Sequence, residues 1–167
     1  MYDMEQARSS IERFALAASS ALRLEIAIFD HQNRLFFCTP TYLKKKGKLV
    51  HAPSIQEVLD NGSVLVNQPG EMPSCMGCRF KHHCPSTIEV LCCIRIGTEV
   101  LGVVSLTSFH KEGERRIIEN TSVYLNAVTE LGNLISSALQ AASGNRGSTS
   151  HDILLQSALE ISSSPML

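Results

Sequence analysis

Apolar and polar residues recur along this chain with periods that divide it into helices and strands. Ala7, Ile11, Phe14, Ala15, Ala18 and Leu22 repeat at three- and four-residue spacing, which predicts an amphipathic helix over 3–22 with Asp3 as its cap. Two short apolar runs, Leu24 to Asp30 and Arg34 to Cys38, flank the polar turn His31-Gln32-Asn33 and predict a β-hairpin. Pro40 stops the second strand just beyond Cys38. A short helix over Ser54 to Leu59 follows, closed by Asn61-Gly62, and Val64 to Val66 reads as another strand. Ile88 to Ile96 and Val100 to Phe109, joined through Gly97-Thr98-Glu99, predict a second antiparallel hairpin. Glu112 to Ala142 carries the longest helical pattern. Its residues Ile118, Leu125, Val128, Ile135 and Leu139 keep heptad-like spacing, and Tyr124, Leu131 and Leu134 broaden the stripe. A face this wide implies packing on more than one surface.

Beyond Ala142 the pattern changes. Residues 143–150 have the Ser/Gly-rich composition of a linker. His151 to Ser162 is helical again, and the apolar end at Ser164-Pro165-Met166-Leu167 reads as a cut inside a larger protein. The expected organisation is one domain at 1–142, a linker at 143–150 and the start of a following domain at 151–167.

Composition narrows the class. A chain of 167 residues is large enough for one domain with a real core, and 44% apolar against 19% charged residues describes a globular protein. The net charge of -1 gives no general attraction to nucleic acid or anionic lipid. The run Lys44, Lys45, Lys46 and Lys48 has no aromatic interleaving beyond Tyr42 and reads as a solvated loop, so no direct nucleic-acid contact is expected. No signal peptide and no membrane-length apolar stretch stand out, and the expected location is cytoplasmic. P-loop, G-x-S-x-G and Rossmann glycine patterns are missing.

In that compartment cysteines more often serve as ligands or redox groups than as disulfides. Cys75, Cys78 and Cys84 lie in Cys-Met-Gly-Cys-Arg-Phe-Lys-His-His-Cys-Pro, with Cys38 well upstream: C-x36-C-x2-C-x5-C. Two thiolates three positions apart can turn toward one centre, and Gly77 between them frees the backbone for the turn. Cys84 can close the same loop and Cys38 would complete a tetrathiolate site. Such a site would order the long loop 67–85, which is uncommon in a compact domain unless functional. Zinc accepts the same four thiolates, or three with His82 or His83, although zinc loops more often pair two C-x2-C knuckles. Free thiols, or a redox disulfide between Cys75 and Cys78, need no metal at all. Cys92 and Cys93 sit in an apolar strand, one on each face, and read as packing. His31, His51 and His110 stand alone at predicted turns and read as solvated surface residues.

The order of elements resembles the GAF/PAS class of sensor domains: an α+β fold, with an antiparallel sheet flanked by N- and C-terminal helices. The stretch Ile-Glu-Val-Leu-Cys-Cys-Ile-Arg-Ile-Gly-Thr-Glu-Val-Leu-Gly-Val-Val-Ser-Leu from Ile88 looks like the GAF strand-turn-strand signature. The helix after it, with Leu125, Glu130, Leu131 and Leu134-Ile135, resembles N-terminal sensory domains of bacterial sigma-54-dependent regulators. That resemblance implies a non-enzymatic signal-sensing domain, a homodimer through the terminal helices, and a downstream output region in the same polypeptide. The C-x2-C-x5-C spacing is similar to that of some [4Fe-4S] proteins, such as endonuclease III-like glycosylases. The likeness implies that Cys38, Cys75, Cys78 and Cys84 each bind one iron, with Pro85 after Cys84 as in ferredoxin loops. Arg79 and Lys81 would offset the thiolate charge. Two alternatives follow from the same resemblance: a small-molecule-binding GAF domain stapled by zinc, and a GAF-like thiol enzyme that reduces free methionine sulfoxide.

Overall fold

The computed structural model describes residues 1–48, 53–62, 64–66 and 68–162, with backbone alone for 64–66 and 145–162. The chain opens on a 3-10 turn, Met4–Ala7, whose cap Asp3 accepts the Glu5 amide, and continues into α1, Arg8–Leu22. Arg23 ends α1 in the left-handed conformation. Strands β1 (Glu25–Asp30) and β2 (Leu35–Cys38) form the first hairpin, and the Asp30 carboxylate accepts the amides of Gln32 and Arg34 across its turn. Helices α2 (Pro40–Lys46) and α3 (Pro53–Asn61) come next, then β3 (Val64–Val66). After the cysteine loop, β4 (Ile88–Ile96) and β5 (Glu99–Ser108) form the second hairpin. The chain closes with α4 (Lys111–Glu119) and α5 (Thr121–Ser162).

The five strands form one antiparallel sheet in the order β2-β1-β5-β4-β3. Its two faces are each buried, and strand alternation sorts the residues between them. Ile26, Ile28, Val90, Cys92, Ile94, Val104 and Leu106 pack against α1, α4 and α5, together with Ile11, Ile117, Val128, Ile135 and Leu139. Ala27, Phe29, Leu91, Cys93 and Val103 face the other way, against Tyr42 of α2 and Ile55, Val58 and Leu59 of α3. Cys92 and Cys93 therefore sit on opposite faces as packing residues. The architecture is α+β, a central antiparallel sheet with flanking helices.

Three segments differ from expectation. The lysine run is helix α2, opened by Pro40 at its first position, where a missing amide costs nothing. Its last residue, Lys46, is 5% exposed rather than solvated. The pattern over 112–142 is two helices, because Asn120 leaves helical geometry at φ -133° and ψ 42°. That break shifts the phase, so Ile117 is buried and Ile118, expected on the stripe, is exposed. Residues 143–150 continue the backbone of α5 instead of interrupting it; the segment contains no proline, the one residue that would bar a helix. His51 lies outside the described residues. Among the described residues no helix is long and apolar enough to cross a membrane.

Candidate metal centre

The loop before β4 folds over the α2/α3 face of the sheet in a chain of tight turns. Pro73–Cys75 forms one 3-10 turn, and Cys78, Lys81 and His83 donate their amides to Cys75, Cys78 and Phe80 carbonyls in succession. Gly77 takes φ +82° between the first two cysteines, as their spacing demands. Gly70 takes φ +90° where the strands of the loop meet: its carbonyl accepts the His82 amide, and its own amide donates to Cys75 Sγ at 3.2 Å. A Cβ there would lie 3.2–3.3 Å from His82 N, Cys84 Cβ and Phe80 O, so only glycine fits without displacement. Phe80 N approaches Cys78 Sγ at 3.5 Å. Cys84 also accepts a backbone donor, from Ser86, so each loop sulfur meets a main-chain amide.

Cys75, Cys78 and Cys84 line one cavity of about 30 Å3, with Lys46, Phe80 and Glu89 around it. A void of that size holds a water molecule or two, so anything larger enters only as the loop lifts from the sheet. The floor is ionic. Lys46 pairs with Glu89 of β4, and Ser86 donates to the same carboxylate oxygen, Oε1, at 2.8 Å. Both charged side chains are more than nine-tenths buried. Burial works against the Lys46 charge, but Glu89, Tyr42 and Cys84 together outweigh it and hold the ammonium above its ordinary value. Burial raises the Cys84 thiol, Lys46 pulls it back down and Glu89 raises it again, leaving it above its ordinary value. The loop is also clamped to the C-terminus of α2: Arg79 donates to the Lys46 carbonyl at 2.8 Å, and the Phe80 ring lies 5.8 Å from the Lys46 ammonium.

The remaining sequence candidates fall elsewhere. Cys38 is half-buried at the end of β2, opposite Ala27, and does not line the cavity. Its thiol is raised by burial and then by Glu25. His82 and His83 are exposed; His82 pairs with Glu71 at 3.0 Å and His83 stacks edge-on against Phe80. As they stand, no three His, Cys, Asp or Glu side chains among the described residues are disposed to hold a metal ion. The three loop cysteines fit a thiolate centre in kind and in sharing one cavity, while the fourth expected ligand does not. Sequence reasoning missed Lys46 and Glu89. A signal for Glu89 was present, since it is the one charge in Ile-Glu-Val-Leu-Cys-Cys-Ile, and a charge inside a strand buried on both faces must find a partner.

No family model matches the chain, and no curated protein matches it. Among solved structures it is similar to a GAF domain/HD domain protein from Geobacter sulfurreducens, at 14% identity and a TM-score of 0.50, over 77% of this chain and 93% of that one. At this identity the likeness speaks for the fold alone, and the fold is GAF-like.

Proposed function

We propose that this chain is a signal-sensing regulatory domain whose cysteine loop holds a [4Fe-4S] cluster, with Cys75, Cys78 and Cys84 as its loop ligands. One observation carries the reading: three cysteines from separate turns of one loop line a single cavity against the sheet. Backbone donors on Cys75 and Cys78 and the buried cation at Lys46 support it, because each offsets negative charge gathered on sulfur. One C-x2-C knuckle occurs here, where zinc loops more often pair two, and this favours a cluster over zinc. When bound, the cluster would supply a centre that responds to redox state or to a diatomic gas.

The residues around the cavity suggest how occupancy is reported. Loading needs the loop to lift, and the loop is fastened to α2 by Arg79 and to β4 by the Cys84–Glu89 segment. A change there reaches the sheet, and through its other face α5, which leads toward the output region that the sequence resemblance implies. Half-exposed Leu16 on α1 and Leu134 on α5 support a homodimer through the terminal helices. As the sequence likeness to sigma-54-dependent regulators suggests, the output is transcriptional.

The test is the visible spectrum of protein purified without oxygen, with iron, sulfide and zinc measured on the same sample. A broad band near ~400 nm with iron matched by sulfide is expected. A colourless protein carrying one zinc per chain would sink the cluster reading.

A further inference from the structure

We propose that Cys75 and Cys78 close a reversible disulfide when the loop meets a peroxide. The inference goes beyond the cluster reading and stands on the turn that joins the two residues. Cys78 donates its amide to the Cys75 carbonyl at 3.0 Å. Between them Met76 has φ -62° and ψ 126°, and Gly77 has φ +82°. Those angles make a type II β-turn with the cysteines at its first and last corners, whose Cα atoms lie less than about 7 Å apart. Disulfides span Cα separations of about 4.4–6.8 Å, so the backbone needs little adjustment to bridge them. Both residues also border one cavity of about 30 Å3, and a bond between their sulfurs brings no new atom into it.

Exposure sets the order of events. Cys78 is partly exposed and Cys75 is buried, so peroxide meets Cys78 first. The Cys78 thiolate attacks one peroxide oxygen and the O–O bond breaks. Cys78 becomes a sulfenic acid, and the hydroxide that leaves is protonated to water. The Cys75 sulfur gives up its proton and attacks the Cys78 sulfur. The S–S bond forms, the S–O bond breaks, and the departing hydroxide carries that proton away as a second water. Two thiols are oxidised and one peroxide is reduced. The bridge encloses only Met76 and Gly77, which removes little freedom from the chain. It is therefore a switch that a thiol reductant reopens, not a staple. Metal ligation needs free thiolates, so the bridge and an occupied centre exclude each other.

The experiment treats the whole purified chain with hydrogen peroxide, counts thiols after denaturation, and maps the alkylated protein by tryptic digestion without reductant. Cleavage places Cys75 and Cys78 together in peptide 49–79, and Cys84, Cys92 and Cys93 in peptide 82–95. Thiols are expected to fall by two from six per chain, with both losses inside peptide 49–79, and to return with dithiothreitol. Cys84→Ser is expected to keep this response and Cys78→Ser to lose it. Peptide 49–79 cross-linked to 82–95 assigns the bond to Cys84 and overturns the proposal, as does a full complement of thiols after peroxide. Iron and sulfide are measured on the same sample before treatment. Protein that holds neither refutes the cluster reading, while the thiol map alone decides this one.

Discussion

Lys46 illustrates how one residue ties local chemistry to stability. Its ammonium and the Glu89 carboxylate are buried together, and each is tolerable only because of the other. Lys46→Met alone should therefore destabilise the fold by about 3–5 kcal/mol, and adding Glu89→Leu should recover most of that loss in urea denaturation. The pair also sets a pH signature. The folded-state value of Lys46 is raised above 10.5, its ordinary value, so the contribution is fully present below that value. It is lost only as pH climbs through the raised folded-state value, and wild type should lose more stability than the double variant in alkali. Gly70 offers a second test at this scale. Alanine there meets a left-handed φ of +90° and close contacts with His82 N and Phe80 O, so Gly70→Ala should cost about 1–2 kcal/mol and loosen the loop. Residue roles were unevenly legible. The Cys75-Gly77-Cys78 turn was readable because short spacing constrains a loop directly. The Lys46–Glu89 contact was not, since it joins residues 43 positions apart and one of them lay inside a run of four similar lysines.

Among the elements, the loop over 68–87 is fastened outside any ladder, by contacts such as the Arg79 clamp, the Phe80–Lys46 approach, the Ser86–Glu89 bond and the Thr87 bond to Ser108. Its amides should exchange much faster than those of β4 and β5, which pair along almost their whole length. Loading the centre should slow exchange at Cys75, Cys78 and Lys81 by at least tenfold, and leave β1 and β5 unchanged. Unchanged protection in the loop would separate metal binding from any movement there. Hairpins were the best-read elements of the chain, because period-two alternation and a polar turn determine both strands and their pairing at once. Helices at breaks in phase were read less well. Asn120 changes the direction of burial without proline or glycine, and Ile117, not Ile118, turns inward as a result. The lysine-rich α2 has too few apolar positions to announce a helix, and its burial comes from Tyr42 and Lys46 alone.

For the whole molecule, the order β2-β1-β5-β4-β3 puts Cys38 on an edge strand and the cysteine loop before β4. Sequence separation gave no warning that Cys38 lies on edge strand β2, outside the lining of the cavity that the loop triad shares, because strand order is a property of long-range pairing and not of local pattern. The other global expectation concerns association. The sheet buries one face against α1, α4 and α5, yet these helices keep apolar side chains outside: Leu16 at 49%, Ile118 at 54%, Val123 at 58% and Leu134 at 50% exposure. Single exposed leucines are ordinary, but α1 and α5 are the helices that the dimeric reading places at the interface. A protein that dimerises there should elute at twice the chain mass in light-scattering chromatography. Leu16→Glu with Leu134→Glu should convert it to monomer while leaving the thermal transition of the folded chain nearly in place, since neither side chain is part of the core. If the proposed centre forms, the same variant should still assemble it, because the cavity lies on the opposite face of the sheet from α1 and α5. Loss of the centre along with the dimer would mean that the two faces of the sheet are more tightly coupled than their separate cores imply. A dimer that survives both glutamates would place the interface on some other surface and remove the terminal helices from it.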